Sequence, residues 1–182
     1  MTKWDRGLDY IATYQRIVYQ LNREYEWAQK LYKPGKKRIP GYCYAAILLI
    51  QLKNAARVSE AVRAFREYLT TRKTELEVLV SKKRKKEYRL MVIPQEVLEL
   101  DCSMCLGLLE RPENKVVDVA KHYARKKLKL NTHSLRYSKV TYLLKHNIDS
   151  AVIAKITHHS NVNFIKTYTQ EKYAHDVLRK MD

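Results

Sequence analysis

Residues 75–94 read Glu75-Leu-Glu-Val-Leu-Val-Ser-Lys-Lys-Arg-Lys-Lys-Glu-Tyr-Arg-Leu-Met-Val-Ile-Pro94. Glu75 to Val78 alternates polar and apolar side chains, and Leu79-Val80 extends the run. Tyr88 to Ile93 is apolar and β-prone, and Pro94 stops it. Between them lies the very basic segment Ser81 to Glu87. These are the marks of two strands joined by a basic hairpin loop. On either side of this stretch the apolar residues recur with a helical period. The chain is therefore expected to be mainly α (α+β), a helical bundle with one small antiparallel hairpin.

Working outward, residues 4–30 predict a helix whose apolar stripe carries Leu8, Ile11, Ile17, Val18 and Leu21. The segment from Tyr32 to Pro40 breaks it with Pro and Gly. Residues 42–53 predict a strongly apolar helix, central to the core. After a break near Asn54, Ser59 is expected to cap a helix from Glu60 to Leu69. Beyond the hairpin, helical periods cover roughly 95–110 and 115–129. Asn131 or Thr132 should cap a helix to about His146, which Asn147 can end in a left-handed conformation. Ser150 should cap another to Thr157. A turn at His158-His-Ser-Asn161 follows, then a segment holding Tyr168 and a last helix at 171–180. The expected organisation is one domain over 1–182: an N-terminal helix and connector to residue 40, then a core over 41–182 with a C-terminal tail helix.

Lys and Arg number 36 against 19 Asp and Glu, a formal charge of +17, and the pI is near 9.8. Such a charge must find counter-ions, and nucleic acid is the commonest polymeric partner. A membrane partner is not expected: the longest apolar run, Ala45 to Ile50, is too short to span a bilayer. The N-terminus lacks the apolar core and cleavage site of a signal peptide. A soluble, cytoplasmic protein is the expectation. The 3 cysteines do not suggest a disulfide framework. Cys102 and Cys105 form a C-x-x-C without a second pair, so they read as small apolar residues on a helix rather than as metal ligands.

Breaking a DNA phosphodiester without a metal requires fixed cations for the non-bridging oxygens, a nucleophile, and groups that move protons. Arg57 follows the most apolar helix, where an Arg is most simply an ion-pair partner. His133 and Arg136 are three apart at a helix start, which places them on one face. A helix N-terminus favours an anion, so a phosphate could meet imidazole, guanidinium and backbone amides together. Taken as a pair alone, a surface His and Arg remain the simpler reading. His158 and His159 lack a third ligand that would suggest metal. Lys82, Lys83, Arg84, Lys85 and Lys86 form a solvated basic loop or one that enters a DNA groove. With 14 Tyr in the chain, no single Tyr stands out by composition.

Together the pieces resemble the tyrosine recombinase (phage-type integrase) family. Ala56-Arg-Val-Ser-Glu-Ala61 is similar to its G-x-R-x-S-E-[LA] box. Residues 75–94 are similar to its β-hairpin with the G-K-G-x-K-x-R-x-x-P pattern. Thr132-His-Ser-Leu-Arg-Tyr-Ser138 is similar to its H-x-L-R-H-[ST] box, and Ile156 to Tyr168 to its L-L-G-H-S-x-x-x-T-T-x-x-Y box, without a gap. The resemblance covers roughly residues 40–175, with the boxes in family order. It departs at His158, which stands for the box glycine, and at Phe164-Ile165, which stand for Thr-Thr.

The resemblance implies a catalytic set of Arg57, Lys82, His133, Arg136, His159 and Tyr168. Arg57 and Arg136 would hold the scissile phosphate, and His133 would assist proton transfer. His159 would hydrogen-bond a phosphate oxygen. Tyr168 would attack to give a 3′-phosphotyrosine and a free 5′-hydroxyl. Lys82 would protonate the leaving oxygen, with Lys83 the alternative in a loop that is longer and lacks the family's glycines. Glu60 falls on the box glutamate, in a structural role. Tyr173 is a rival nucleophile with the wrong spacing from His159. The resemblance further implies no cofactor, double-stranded DNA as partner, a monomer in isolation and a homotetramer on synapsed DNA. The family's N-terminal clamp domain is expected to be absent. A type IB topoisomerase-like enzyme and a non-catalytic DNA-binding module of the same fold are the alternatives to a recombinase of a virus or mobile element.

Overall fold

The computed structural model describes residues 7–31, 39–80, 86–158 and 165. Helix α2, Gly41–Lys53, buries every residue from Tyr42 to Leu52, because an apolar side chain stands at nearly every position around it. A helix with no polar face must be surrounded. It is: α1 (Tyr10–Leu31), α3 (Val58–Thr71), α5 (Glu113–Leu128) and α6 (Thr132–Lys145) all pack on it. Ile17 and Leu21 of α1 lie in the same hydrophobic core as Leu48, Phe65, Ala120 and Leu135.

The hairpin forms where the period changes. Strand β1, Glu75–Val80, pairs antiparallel with β2, Glu87–Val92, in the register Glu75↔Val92 to Val80↔Glu87. Leu76, Val78, Val80, Arg89 and Met91 are the buried face, while Glu75, Glu77, Tyr88 and Leu90 are exposed. The fold is therefore mainly helical with one two-stranded antiparallel sheet among the described residues. No helix among the described residues is long and apolar enough to cross a membrane.

Several boundaries differ from expectation. The cap of α3 is Arg57, not Ser59, because the Glu60 carboxylate at the third helical position reaches back to the Arg57 N–H, 3.0 Å away. The helix expected over 95–110 is two pieces, α4 at Gln95–Leu98 and a 3₁₀ helix at Ser103–Leu108. Asp101 separates them: its carboxylate accepts from the Ser103 backbone N–H at 2.8 Å and hydroxyl at 2.9 Å, a local turn that competes with helix. Helix α7, Ser150–Thr157, is capped by Asp149 rather than Ser150, since Asp149 Oδ1 accepts from the backbone of Ala151 and Val152. The largest correction concerns cysteine. Cys43 and Cys105 form a disulfide across 62 residues, tying α2 to the 3₁₀ helix, and Cys102 stays a buried free thiol. The expected tail helix at 171–180 lies outside the described residues.

Candidate active site

Two chain segments meet beside α2. The first is the turn Asn54-Ala55-Ala56 that delivers Arg57. Ala55 is left-handed, φ 48°, at the position where the similar box has glycine. Asn54 locks this turn to the hairpin: its amide donates to the carbonyls of Ile50 and Val92, and its oxygen accepts from the Val92 N–H. The second segment is the start of α6, where the Asn131 side chain accepts from the His133 N–H at 3.0 Å. Gln51 stitches the two together, donating to the carbonyls of Ala56 at 3.3 Å and Thr132 at 2.8 Å.

Between them opens a cleft of about 880 Å³ lined by Arg57, Arg136, His133, Lys121, Arg125 and Lys129, among others. His133 is exposed, its ring edge-on to Tyr137 with centroids 4.8 Å apart. Arg136 is 2% exposed and donates through Nη2 to the Thr157 carbonyl at 2.6 Å. The Arg57 side chain is 41% exposed and donates through Nη1 to Glu60 Oε1 at 2.9 Å.

Beneath the cleft lies a cluster of buried charges. Glu60 has no exposed surface, and its Oε2 also takes Arg89 Nη1 at 3.2 Å. Burial alone would push the Glu60 carboxyl up. The hydrogen bonds from Arg57 and the charges of Arg89 and Arg57 outweigh it and hold the group below the usual carboxylate range. Burial pulls Arg136 down to about 10, helped by repulsion from Arg57 and Arg89. Two guanidiniums thus hold one carboxylate, and Arg136, which feels the charges of all three, is like Arg89 almost wholly out of water. An anion entering the cleft would meet these cations where water screens them less than at an open surface.

The structure thus gathers Arg57, His133 and Arg136 on one cleft. Lys86 is exposed at the foot of β2. Lys82, Lys83, Arg84, Lys85, His159 and Tyr168 lie outside the described residues, but their neighbours are placed. His158 closes α7 in a left-handed turn, φ 52°, as expected for the position of the box glycine, and its Nδ1 lies 3.4 Å from Glu87 Oε2 at the base of the hairpin loop. Ile165, 2% exposed, packs with Ala55, Val140, Ile153 and Ala154. Sequence reasoning missed Gln51 and Arg89. For Arg89 a signal existed: strand alternation puts it on the face of Leu76, Val78 and Met91.

Over nearly its whole length the chain is similar to other proteins. It is 35% identical over 178 residues to a protein of Acidianus two-tailed virus named as an integrase, covering 98% of this chain and 68% of that one. It is 31% identical over 201 residues to a Methanocaldococcus jannaschii protein whose name states no activity, covering 98% and 88%. It is 29% identical over 205 residues to a Sputnik virophage protein also named as an integrase, covering 96% and 88%. No protein-family model matches the chain, and no solved structure does. With that identity and coverage against the first of these relatives, the chain belongs to the integrase family.

Proposed function

We propose that the chain is a tyrosine recombinase, cutting and rejoining double-stranded DNA through a covalent bond to Tyr168. The observation that carries this reading is the convergence of Arg57, His133 and Arg136 on one cleft at the N-terminus of α6. Such a site suits the non-bridging oxygens of a phosphodiester, which gain charge as the bond breaks. Arg57 and Arg136 would clamp those oxygens, Arg being suited by its planar fork. Tyr168 follows Ile165 by three residues. Ile165 shares a small core cluster with Ala55, two residues before Arg57, and three residues of chain can span roughly 10 Å, which supports Tyr168 as a nucleophile within reach of the clamp.

In this mechanism the Tyr168 oxygen attacks phosphorus and the bond to the 5′ oxygen breaks, leaving a 3′-phosphotyrosine. His133 receives the tyrosine proton, Lys82 (or Lys83) protonates the leaving 5′ oxygen, and His159 bonds a phosphate oxygen. Ligation is the reverse attack, so no external energy source is needed. The working assembly would be a tetramer on two synapsed duplexes.

The test is a trapping experiment on nicked suicide DNA without added metal. The parent should give a protein–DNA band that survives denaturant, and Tyr168→Phe should give none. Arg136→Ala should slow covalent capture by at least roughly 10²-fold, the effect of losing one transition-state donor. Equal capture by Tyr168→Phe would remove Tyr168 as nucleophile, and an unchanged rate would remove Arg136 from the site. Supercoil relaxation without recombinant product would point to the topoisomerase-like alternative.

A further inference from the structure

Arg89 stands where the hairpin's alternation calls for an apolar side chain. It is 3% exposed, and it is not among the residues lining the cleft. Burying a guanidinium in that place is costly unless good partners hold it. Nη1 donates to Glu60 Oε2 at 3.2 Å, and Nη2 donates to the Asn54 carbonyl. Among the described residues its Nε finds no acceptor. The two acceptors stand at opposite ends of one short segment: Asn54 precedes the left-handed Ala55, and Glu60 sits in the first turn of α3. Arg57 lies between them. Its guanidinium leans on the other oxygen of Glu60, at 2.9 Å.

We infer that Arg89 is a positioning residue for Arg57: by gripping the Asn54 carbonyl and the Glu60 carboxylate together, it fixes the turn and the carboxylate on which the Arg57 guanidinium rests, so that Arg57 faces the cleft in one orientation. The inference rests on the phosphodiester reading only for the identity of the anion that Arg57 meets. Charge neutralisation alone does not account for the arrangement, because Arg57 already pairs with Glu60. What Arg89 adds is the planar fork that spans both acceptors. A lysine ammonium would keep the charge without that fork.

The test uses the full chain and four variants: Arg89→Met, Arg89→Lys, Arg57→Ala, and Arg57→Ala with Arg89→Met. Two readouts are taken. One is NMR relaxation of the Arg57 Nε–H. The other is covalent capture of nicked DNA at saturating DNA, measured beside DNA affinity. In the parent the Arg57 side chain should be rigid, and in Arg89→Met it should become mobile. Capture at saturation should fall roughly 10- to 100-fold with affinity little changed, since misplacing a clamp damages the reaction more than binding. Arg89→Lys should recover part of that loss. In the Arg57→Ala background, Arg89→Met should add nothing, because a residue acting through Arg57 has nothing left to position.

An Arg57 side chain equally rigid in Arg89→Met would overturn the inference, as would losses that add in the double variant. If Arg89→Met does not fold, Arg89→Lys carries both readouts: a mobile Arg57 and slower capture uphold the inference, and parental behaviour in both overturns it. If the parent captures no DNA at all, the phosphodiester reading fails, and the Arg57 relaxation alone decides whether Arg89 positions it.

Discussion

Glu60 concentrates the electrostatics of the site in one side chain. One oxygen takes Arg57 Nη1, and the other takes the Arg57 backbone N–H and Arg89 Nη1. Glu60→Gln keeps the shape and removes the charge, leaving the buried Arg89 without its carboxylate partner. Breaking a buried ion pair from one side costs about 3 to 5 kcal/mol, and urea unfolding should show a loss of that order. The sign of its pH dependence follows. The folded-state pKa lies below the ordinary glutamate value of 4.5, so the stabilisation is fully present above that pH and is lost as pH falls through the folded-state value. The gap between the parent and Glu60→Gln should therefore narrow below about pH 4.5. A gap that holds constant through acid would mean that the Glu60 charge is not what stabilises the cluster.

At the scale of elements, the start of α6 has to stay wound for His133 and Arg136 to share one face. Asn131 secures it by accepting from the His133 N–H. Asn131→Ala should cost about 1 kcal/mol in unfolding free energy and speed hydrogen exchange at the His133 amide. Parental exchange at that amide would show that the cap does not hold the turn. This cap was legible from sequence because it is local, as were the apolar run of α2 and the alternation of β1 and β2. The break at Asp101 was not, because the apolar spacing continues through it and only the hydrogen bonds of Ser103 decide it. Of the site, the motif residues Arg57, His133 and Arg136 could be named from their boxes. Gln51 could not, since its importance depends on which segments the fold brings beside it, and for Arg89 the alternation of β2 marks the buried face but not the partners. A Gln at the end of a core helix looks unremarkable until its amide reaches Ala56 and Thr132.

At the scale of the whole molecule, the disulfide acts where no local pattern could announce it. Cys43 stands second in the buried run of α2, and Cys105 lies on the 3₁₀ helix 62 residues later, beyond α3 and the hairpin that frame the Arg57 turn. The bridge closes a loop holding Arg57, Glu60 and Arg89, so it restricts the unfolded chain over the segment that builds the charged cluster. Loop-closure entropy for a loop of that length corresponds to about 4 kcal/mol, an upper bound when the reduced chain keeps residual structure. Unfolding by denaturant should therefore move to markedly lower concentration in a reducing buffer, and Cys105→Ala should show the lowered midpoint in either buffer. A thiol count tests the pairing directly. Of 3 cysteines, only Cys102 is free, so the unreduced, denatured chain should titrate one thiol and the reduced chain three. Three thiols without reductant would mean that α2 and the 3₁₀ helix are held by packing alone. The same unfolding midpoint in both buffers would then follow, and the stability of the cluster would rest on Glu60 and its arginines.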